Sequence, residues 1–229
     1  MIKLVQKQNA LLDSLEVSYI SLTNGTAKNS NASTPTDAPK VFDVKLDLLQ
    51  DDKEFGRIKT GIDNTRKGIH SCAHLKVDKI YPVDIKSMSD AFEKDGRKLS
   101  NIMELYHGSR VSNLISILSK GMVIPKASSP HVTGRLYHDG LYFSNISSKS
   151  LNYSYGYWSG NNHDNNCFMF LADVAMGQYY IPTGPRNCLQ QAGYDSYYAQ
   201  PNKSGIINPE MIVFRTSQAN IKYLVEFKG

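Results

Sequence analysis

A histidine, a tyrosine and a glutamate, each at the edge of a short strand-like segment, are the side chains best suited to chemistry in this sequence. His107 ends one segment, and Gly108 after it would let a ligand approach the backbone beside a serine hydroxyl. Tyr142 follows a turn-forming Asp-Gly pair. Glu210 precedes four apolar residues, so its carboxylate would lie at the mouth of a buried strand. A carboxylate in that position can stabilise developing positive charge or accept a proton.

Two tyrosines, Tyr142 and Tyr153, could enclose a flat ligand between them. Tyr153 lies in a predicted helix that opens with a serine cap at Ser147, and offset stacking adds about 0.5 to 1.5 kcal/mol beyond area burial. Each residue also has an ordinary structural interpretation. A tyrosine can pack in the core, a histidine can hydrogen-bond in a surface turn, and a strand-end acid can be solvated. Only the joint pattern indicates a site.

The elements that must position these side chains are mostly strands. Alternating or continuous apolar runs predict strands at 41–48, 75–82, 102–107, 140–144, 168–176, 211–215 and 221–227. A polar helix is predicted over 51–66, and a second helix after Ser112 or Asn113 as cap, ending at Gly121 in a left-handed conformation. Long helices do not alternate with the strands, so we expect an α+β fold of antiparallel or mixed sheets and exclude a doubly wound parallel sheet.

The first 40 residues differ in character from the rest. Leucines near helical spacing predict an amphipathic helix over 3–22, and residues 23–40 contain no large apolar side chain, which is typical of a flexible linker. We therefore divide the chain into an N-terminal segment, 1–40, and one compact domain, 41–229.

Composition limits the class of protein. The 229 residues carry a net charge of +5, which suggests at most a mild preference for anionic ligands and a possible nucleic-acid contact. Three cysteines, Cys72, Cys167 and Cys188, show no paired spacing, and no segment has the length of a membrane span. We expect an intracellular, soluble protein of the nucleus or cytosol that is not secreted, makes no membrane contact and is a monomer.

Other kinds of site receive less support. His70, Cys72 and His74 would alternate onto one face of a strand, but a fourth ligand at zinc-finger spacing is missing, so we expect no metal. Glycine-rich dinucleotide and phosphate-loop motifs are also missing, and no cysteine has a recognisable nucleophile context.

The joint pattern resembles the catalytic domain of the poly(ADP-ribose) polymerase family, the NAD-consuming ADP-ribosyltransferases. The resemblance covers about residues 41–229 and depends on several motifs. In chain order they are Asn64-Thr65 with His70, Leu75-Lys76-Val77, His107-Gly108-Ser109, Val132-Thr133-Gly134, Gly140-Leu141-Tyr142-Phe143, Ser148-Lys149-Ser150-Leu151-Asn152-Tyr153, Asp173-Val174-Ala175-Met176-Gly177, Gly193-Tyr194-Asp195-Ser196 and Gln218-Ala219-Asn220-Ile221-Lys222-Tyr223-Leu224. It implies two packed mixed or antiparallel sheets with flanking helices. Residues 11–19 also look like the last helix of the family's regulatory helical domain, so 1–40 would be its remnant.

The resemblance implies a role for each matching residue. NAD would be the donor substrate, and no metal is implied. Three residues would be catalytic: Glu210, His107 and Tyr142. Seven would bind NAD: His107, Gly108, Ser109, Asn113, Tyr142, Ser150 and Tyr153. Three would act toward the acceptor and the growing chain: Lys149, Leu136 and Glu210.

The chain departs from the family at several of these places. Val123 stands where many members have an arginine facing the adenosine and phosphates, so Lys120, Lys126 or Arg135 would have to supply that charge. Asp139 replaces a lysine, and Leu136 stands where a methionine would contact the polymer. These changes leave transfer intact and bear on NAD affinity and elongation.

The resemblance therefore implies an NAD-dependent ADP-ribosyltransferase that modifies protein acceptors, including itself. It also implies elongation of poly(ADP-ribose), because members with glutamate in the third position generally elongate. Two alternatives stay open. One is a mono-ADP-ribosyltransferase or toxin-like NAD glycohydrolase acting on nucleic acid or a single protein. The other is an inactive ADP-ribose or NAD-binding module.

Overall fold

The computed structural model describes residues 44–124, 136–157, 166–184 and 190–229. The chain divides into two units, Met1–Lys40 and Val41–Gly229, and all of the described residues belong to the second. The helix predicted over 3–22 and the linker predicted over 23–40 lie outside the described residues. So do Lys126, Arg135 and Cys188, which the sequence also singled out.

Two β-sheets form the body of the described part. In chain order their strands are β1 (Val44–Leu46), β2 (Lys76–Ile85), β3 (Ile102–Gly108), β4 (Leu141–Phe143), β5 (Asn166–Ala175), β6 (Tyr179–Tyr180), β7 (Ser196–Ala199), β8 (Glu210–Val213) and β9 (Ala219–Lys228). The five-stranded sheet has the antiparallel order β1-β2-β9-β5-β3. The four-stranded sheet has the order β4-β8-β7-β6, and only β6 and β7 pair in parallel. The predicted α+β class with two antiparallel or mixed sheets is confirmed.

In the described part of the chain, four α-helices flank the sheets. They are α1 (Asp52–Asn64), α2 (Lys86–Ala91), α3 (Leu114–Lys120) and α4 (Ser147–Tyr155). The start of α1 is capped by Asp51, whose carboxylate accepts hydrogen bonds from the Lys53 and Glu54 backbone amides. Gly121 ends α3 with a φ of 76°, a region that glycine enters without steric cost. Within the described part of the chain, no helix has the length and apolar character needed to cross a membrane.

Of two predicted helix caps, one is correct in position only and the other is wrong. Asn113 occupies the cap position of α3, but its side chain makes no capping hydrogen bond and donates instead to the Ser109 hydroxyl. The other is Ser147, which is already the first residue of α4. Its buried hydroxyl donates to the Ile62 carbonyl of α1 at 2.7 Å. Ser147 therefore joins two helices rather than opening one of them.

Strand β5 separates two parts of the hydrophobic core. Phe170 and Ala172 face one core cluster, which also contains Phe143 and Val213 from the smaller sheet. The intervening Met169 faces a second cluster that includes buried residues of α1 and α4. Because successive side chains of a strand point to opposite faces, burial on both sides explains the nearly continuous apolar run of β5. Strand β3, which pairs with β5, likewise lies between helices α1 and α4 on one face and the smaller sheet on the other.

The predicted strand face formed by His70, Cys72 and His74 is wrong. Residues Ser71–His74 form a 3-10 helical turn, in which the Leu75 amide donates to the Cys72 carbonyl. Regular strand structure begins only at Lys76. His70 and Cys72 are buried while His74 is exposed, so the three side chains do not share a face.

Candidate active site

His107 lies near the end of β3 and is held in one orientation by its neighbour strand. Its Nδ1 lies 2.8 Å from the carbonyl oxygen of Tyr142 on β4, so Nδ1 carries the proton and Nε2 keeps its lone pair. The ring also packs against Phe143, with 5.6 Å between the ring centroids. Burial lowers the pKa of His107 from its ordinary value of 6.5, so the imidazole is neutral at neutral pH. Its Nε2 is therefore an acceptor suited to a ligand hydroxyl.

Gly108 brings the backbone of α4 directly against β3. A Cβ at this position would lie 2.6 Å from the Ser150 carbonyl carbon and closer still to its oxygen. The Ser150 hydroxyl donates to the Tyr106 carbonyl at 3.0 Å, which ties the same turn of α4 to β3. The sequence suggested glycine here so that a ligand could approach. The structure shows that its missing side chain makes room for the helix.

The two tyrosines have different surroundings. The hydroxyl of Tyr142 donates to the His138 carbonyl at 2.7 Å and accepts from the Tyr137 amide at 3.1 Å. Tyr153, on α4, has its pKa raised to about 12, first by burial and then by the nearby carboxylate of Glu210. Tyr153 is therefore close enough to Glu210 to sense its charge. Stacking of the two rings on a ligand stays a prediction.

Glu210 is the first residue of β8, and it is buried rather than solvated, with 5% of its surface exposed. Its Oε1 accepts a hydrogen bond from Lys149 Nζ at 2.5 Å, in an ion pair whose side chains are 14% and 7% exposed. Its Oε2 is buried and has no hydrogen-bond partner among the described residues. Buried carboxylate oxygens are normally hydrogen-bonded, so an orphaned oxygen indicates a place for a ligand hydroxyl.

Burial also changes the pKa of Lys149. Its removal from water lowers the pKa of its ammonium group, while the Glu210 carboxylate opposes that change. The attraction within the pair offsets part of the cost of burying two charges. The ion pair connects α4 to β8, two elements whose sequence segments lie far apart in the chain.

Several other residues that the sequence singled out lie at the protein surface. Asn113 contacts Ser109 at 3.0 Å on an exposed surface. Leu136 is 43% exposed and Val123 is 63% exposed, so neither is held by the core. Lys120, at the end of α3, is exposed.

Sequence reasoning missed one group next to the Lys149–Glu210 pair. His70 is buried, its Nδ1 lies 2.7 Å from the Ser148 hydroxyl and its Nε2 lies 3.1 Å from the Asn208 side-chain nitrogen. The sequence does carry a signal for this group: Ser148 directly precedes Lys149, and Asn208 lies two residues before Glu210.

Two other kinds of site find no support in the described part of the chain. No group of three or more His, Cys, Asp or Glu residues there could hold a metal ion. Cys72 and Cys167 are buried, and burial raises the pKa of Cys72 to about 12, so its thiol stays protonated.

Most of the described part of the chain is similar in sequence to known proteins. The family model of the poly(ADP-ribose) polymerase catalytic domain matches residues 52–203. Chicken poly [ADP-ribose] polymerase 1 is 28% identical over 98% of this chain, which covers 24% of the relative. Poly [ADP-ribose] polymerase of Drosophila melanogaster is also 28% identical over 98% of the chain and is covered to 25%. The polymerase-like protein 100L of Invertebrate iridescent virus 6 is 34% identical over 53% of the chain and is covered to 68%. The chain thus spans about a quarter of the length of the first two relatives.

Proposed function

The chain belongs to the poly(ADP-ribose) polymerase catalytic-domain family, and from this premise we propose that it transfers ADP-ribose from NAD to protein acceptors, including itself, with release of nicotinamide. The observation that carries the proposal is the buried carboxylate of Glu210. One of its oxygens accepts a hydrogen bond from Lys149, and the other has no partner in the described part of the chain. A ribose hydroxyl of NAD would fill that place.

The chemistry follows from this carboxylate. When the bond between nicotinamide and ribose breaks, nicotinamide leaves with the bonding electron pair and positive charge develops on the ribose. A buried carboxylate stabilises this charge more effectively than a solvated one, because the low dielectric strengthens the attraction. The acceptor nucleophile then bonds to the ribose carbon, and its proton passes to Glu210 as general base.

The remaining predicted residues would bind NAD and orient it. His107 offers a fixed Nε2 acceptor to a ribose hydroxyl, and Tyr142 and Tyr153 would stack on the nicotinamide ring. The Gly108 backbone and the Ser150 hydroxyl would bind the carboxamide. Further contacts would come from Ser109 and Asn113. Orientation of this kind supplies the positional part of the rate acceleration.

We also propose that residues 41–229 form the catalytic domain and that the reaction extends to chain elongation. Glu210 supports elongation, because family members with glutamate at this position generally elongate chains. Leu136, exposed and substituted for a methionine, would face the growing chain, while Lys149 would position Glu210 toward it. We propose a monomer that acts inside the cell, with nucleic-acid contact as a possible addition.

Intact mass spectrometry after incubation with NAD tests the proposal. We expect added mass in steps of one ADP-ribose unit, with several steps on a single molecule if chains or multiple sites form. A single step would indicate the mono-ADP-ribosyltransferase, and free ADP-ribose without added mass would indicate the NAD glycohydrolase. NAD that stays intact would contradict the proposal and favour the inactive binding module.

A further inference from the structure

The imidazole of His70 bridges two backbone segments that carry the ion pair of the proposed active site. Its Nδ1 lies 2.7 Å from the Ser148 hydroxyl, and Ser148 directly precedes Lys149 on α4. Its Nε2 lies 3.1 Å from the side-chain nitrogen of Asn208, two residues before Glu210. One ring therefore joins the neighbour of the lysine to the neighbour of the glutamate.

The hydrogen bonds of this bridge fit together for a neutral ring. Asn208 Nδ2 can only donate, so Nε2 of His70 accepts and its Nδ1 carries the proton. Nδ1 then donates to the Ser148 hydroxyl, which also accepts from the Lys67 amide at 2.8 Å. The Ser148 hydroxyl donates to the Lys67 carbonyl, with 3.4 Å between the two oxygen atoms. Each of these contacts thus has one donor and one acceptor, while the side-chain oxygen of Asn208 is buried without a hydrogen-bond partner among the described residues.

The surroundings keep this ring neutral. Burial lowers the pKa of His70, and the positive charges of Lys67 and Lys149 lower it further. The imidazolium form would present a proton on Nε2 toward the Asn208 amide nitrogen, where two donors would face each other. The neutral bridge is therefore the stable arrangement at neutral pH.

The side chains that adjoin His70 and Asn208 in sequence add little packing to the bridge. The residues next to the bridge, Ile69 and Ile207, are 71% and 77% exposed, so they contribute little buried area. By contrast His70 is 8% exposed and Ser148 is 2% exposed. The directional contacts of the imidazole are therefore well placed to set the spacing between the start of α4 and the start of β8.

We propose that His70 is a positioning residue, which sets the geometry of the Lys149–Glu210 pair by holding Ser148 with one ring nitrogen and Asn208 with the other. The proposal rests on the proposed function for its kinetic consequence. It does not give His70 contact with NAD. Its effect reaches the reaction only through the placement of the Glu210 carboxylate.

The kinetic test uses His70→Phe, which keeps a ring of similar size and removes both nitrogens. We expect kcat for nicotinamide release to fall about 10-fold to 100-fold, as a misplacement of about 1 Å produces, with KM for NAD changed less than about twofold. Asn208→Leu breaks one end of the bridge. It should also lower kcat with little change in KM for NAD, but the fall in kcat should be smaller. His74→Ala is the matched control, because His74 lies on the same turn with an exposed side chain and should leave kcat unchanged.

A double-mutant cycle separates positioning from general destabilisation. If His70 acts through the pair, then in a Lys149→Ala background the further change His70→Phe should cost less than about threefold in kcat. Multiplicative losses would overturn the proposal, because they would show that His70 acts independently of the pair. An unchanged kcat in both His70→Phe and Asn208→Leu would overturn it as well.

A second measurement needs no enzymatic activity. Acylation of Lys149 by an amine-reactive ester, followed by peptide mass spectrometry, reports how often the buried ammonium leaves Glu210. We expect His70→Phe to raise the acylation rate of Lys149 at least about threefold, with His74→Ala unchanged. If the unsubstituted chain releases no nicotinamide, the proposed function fails and acylation alone decides. Equal acylation in His70→Phe and the unsubstituted chain would overturn the bridge itself.

Discussion

Gly108→Ala tests whether the proposed site depends on close contact between β3 and α4. A Cβ at this position would lie 2.6 Å from the Ser150 carbonyl carbon, whereas ordinary van der Waals contact begins at 3.4 Å. Contact with this carbon alone requires the two backbones to separate by 0.8 Å (3.4 Å less 2.6 Å), and the closer Ser150 carbonyl oxygen requires more. The obstructing atoms are backbone, so no flexible side chain can turn aside to relieve the clash.

The displacement can be converted into expected effects. Overpacking of a tight contact lowers the free energy of unfolding by about 1 to 3 kcal/mol. A shift of about 1 Å among residues that orient a substrate can reduce turnover about 100-fold. Both effects should occur together in Gly108→Ala, because the same contact holds α4 in the fold and places Ser150 next to β3.

Urea denaturation and nicotinamide release measure the two effects. Gly56→Ala is the matched control, since Gly56 lies within α1 and a Cβ there would meet nothing within 4 Å. That control should raise the free energy of unfolding by about 0.5 to 1 kcal/mol and leave turnover unchanged. If Gly108→Ala instead matched the unsubstituted chain in stability and turnover, the contact between β3 and α4 would not have the tightness we describe.

Two further predictions concern charge. Lys149→Met should lower the free energy of unfolding by about 3 to 5 kcal/mol in urea denaturation, because it leaves a buried carboxylate without its cation. The double variant with Glu210→Gln should regain part of the loss, and a single variant as stable as the original chain would contradict the pair. Burial lowers the pKa values of His70 and His107, so below about pH 6.5 the unfolded chain takes up protons before the folded one. The free energy of unfolding should therefore fall on acidification through that range. His107→Gln should reduce the slope, and an unchanged slope would refute the assignment of His107 as a half-buried neutral ring.

The sequence indicated the large strands well because their patterns follow directly from burial. The predicted strands at 102–107, 168–176 and 221–227 occur as Ile102–Gly108, Asn166–Ala175 and Ala219–Lys228. Strands β6 and β7 were not predicted. They contain only two and four residues, and their pairing depends on the neighbouring β8 rather than on a local periodic pattern.

The site was predictable in part for a similar reason. Resemblance to a family placed Lys149 and Glu210 together on the acceptor side, but no local pattern predicts that their side chains form a buried ion pair. That contact requires α4 and β8 to pack as the sheets dictate. The alternation of residues 70–74 predicts a strand around His70, and this prediction is wrong. Backbone hydrogen bonds instead close a 3-10 turn over Ser71–His74, which turns the exposed His74 away from the buried Cys72.

The most direct test of the account is the rate of nicotinamide release from NAD by Glu210→Gln. The substitution keeps the shape of the side chain and removes the charge on which the proposed chemistry depends. Glu93→Gln is the matched control, because Glu93 pairs with Arg97 on the exposed surface. We expect Glu210→Gln to release nicotinamide at least about 100-fold more slowly, with Glu93→Gln unchanged. An unreduced rate in a folded Glu210→Gln would contradict the central claim that this buried carboxylate carries the reaction.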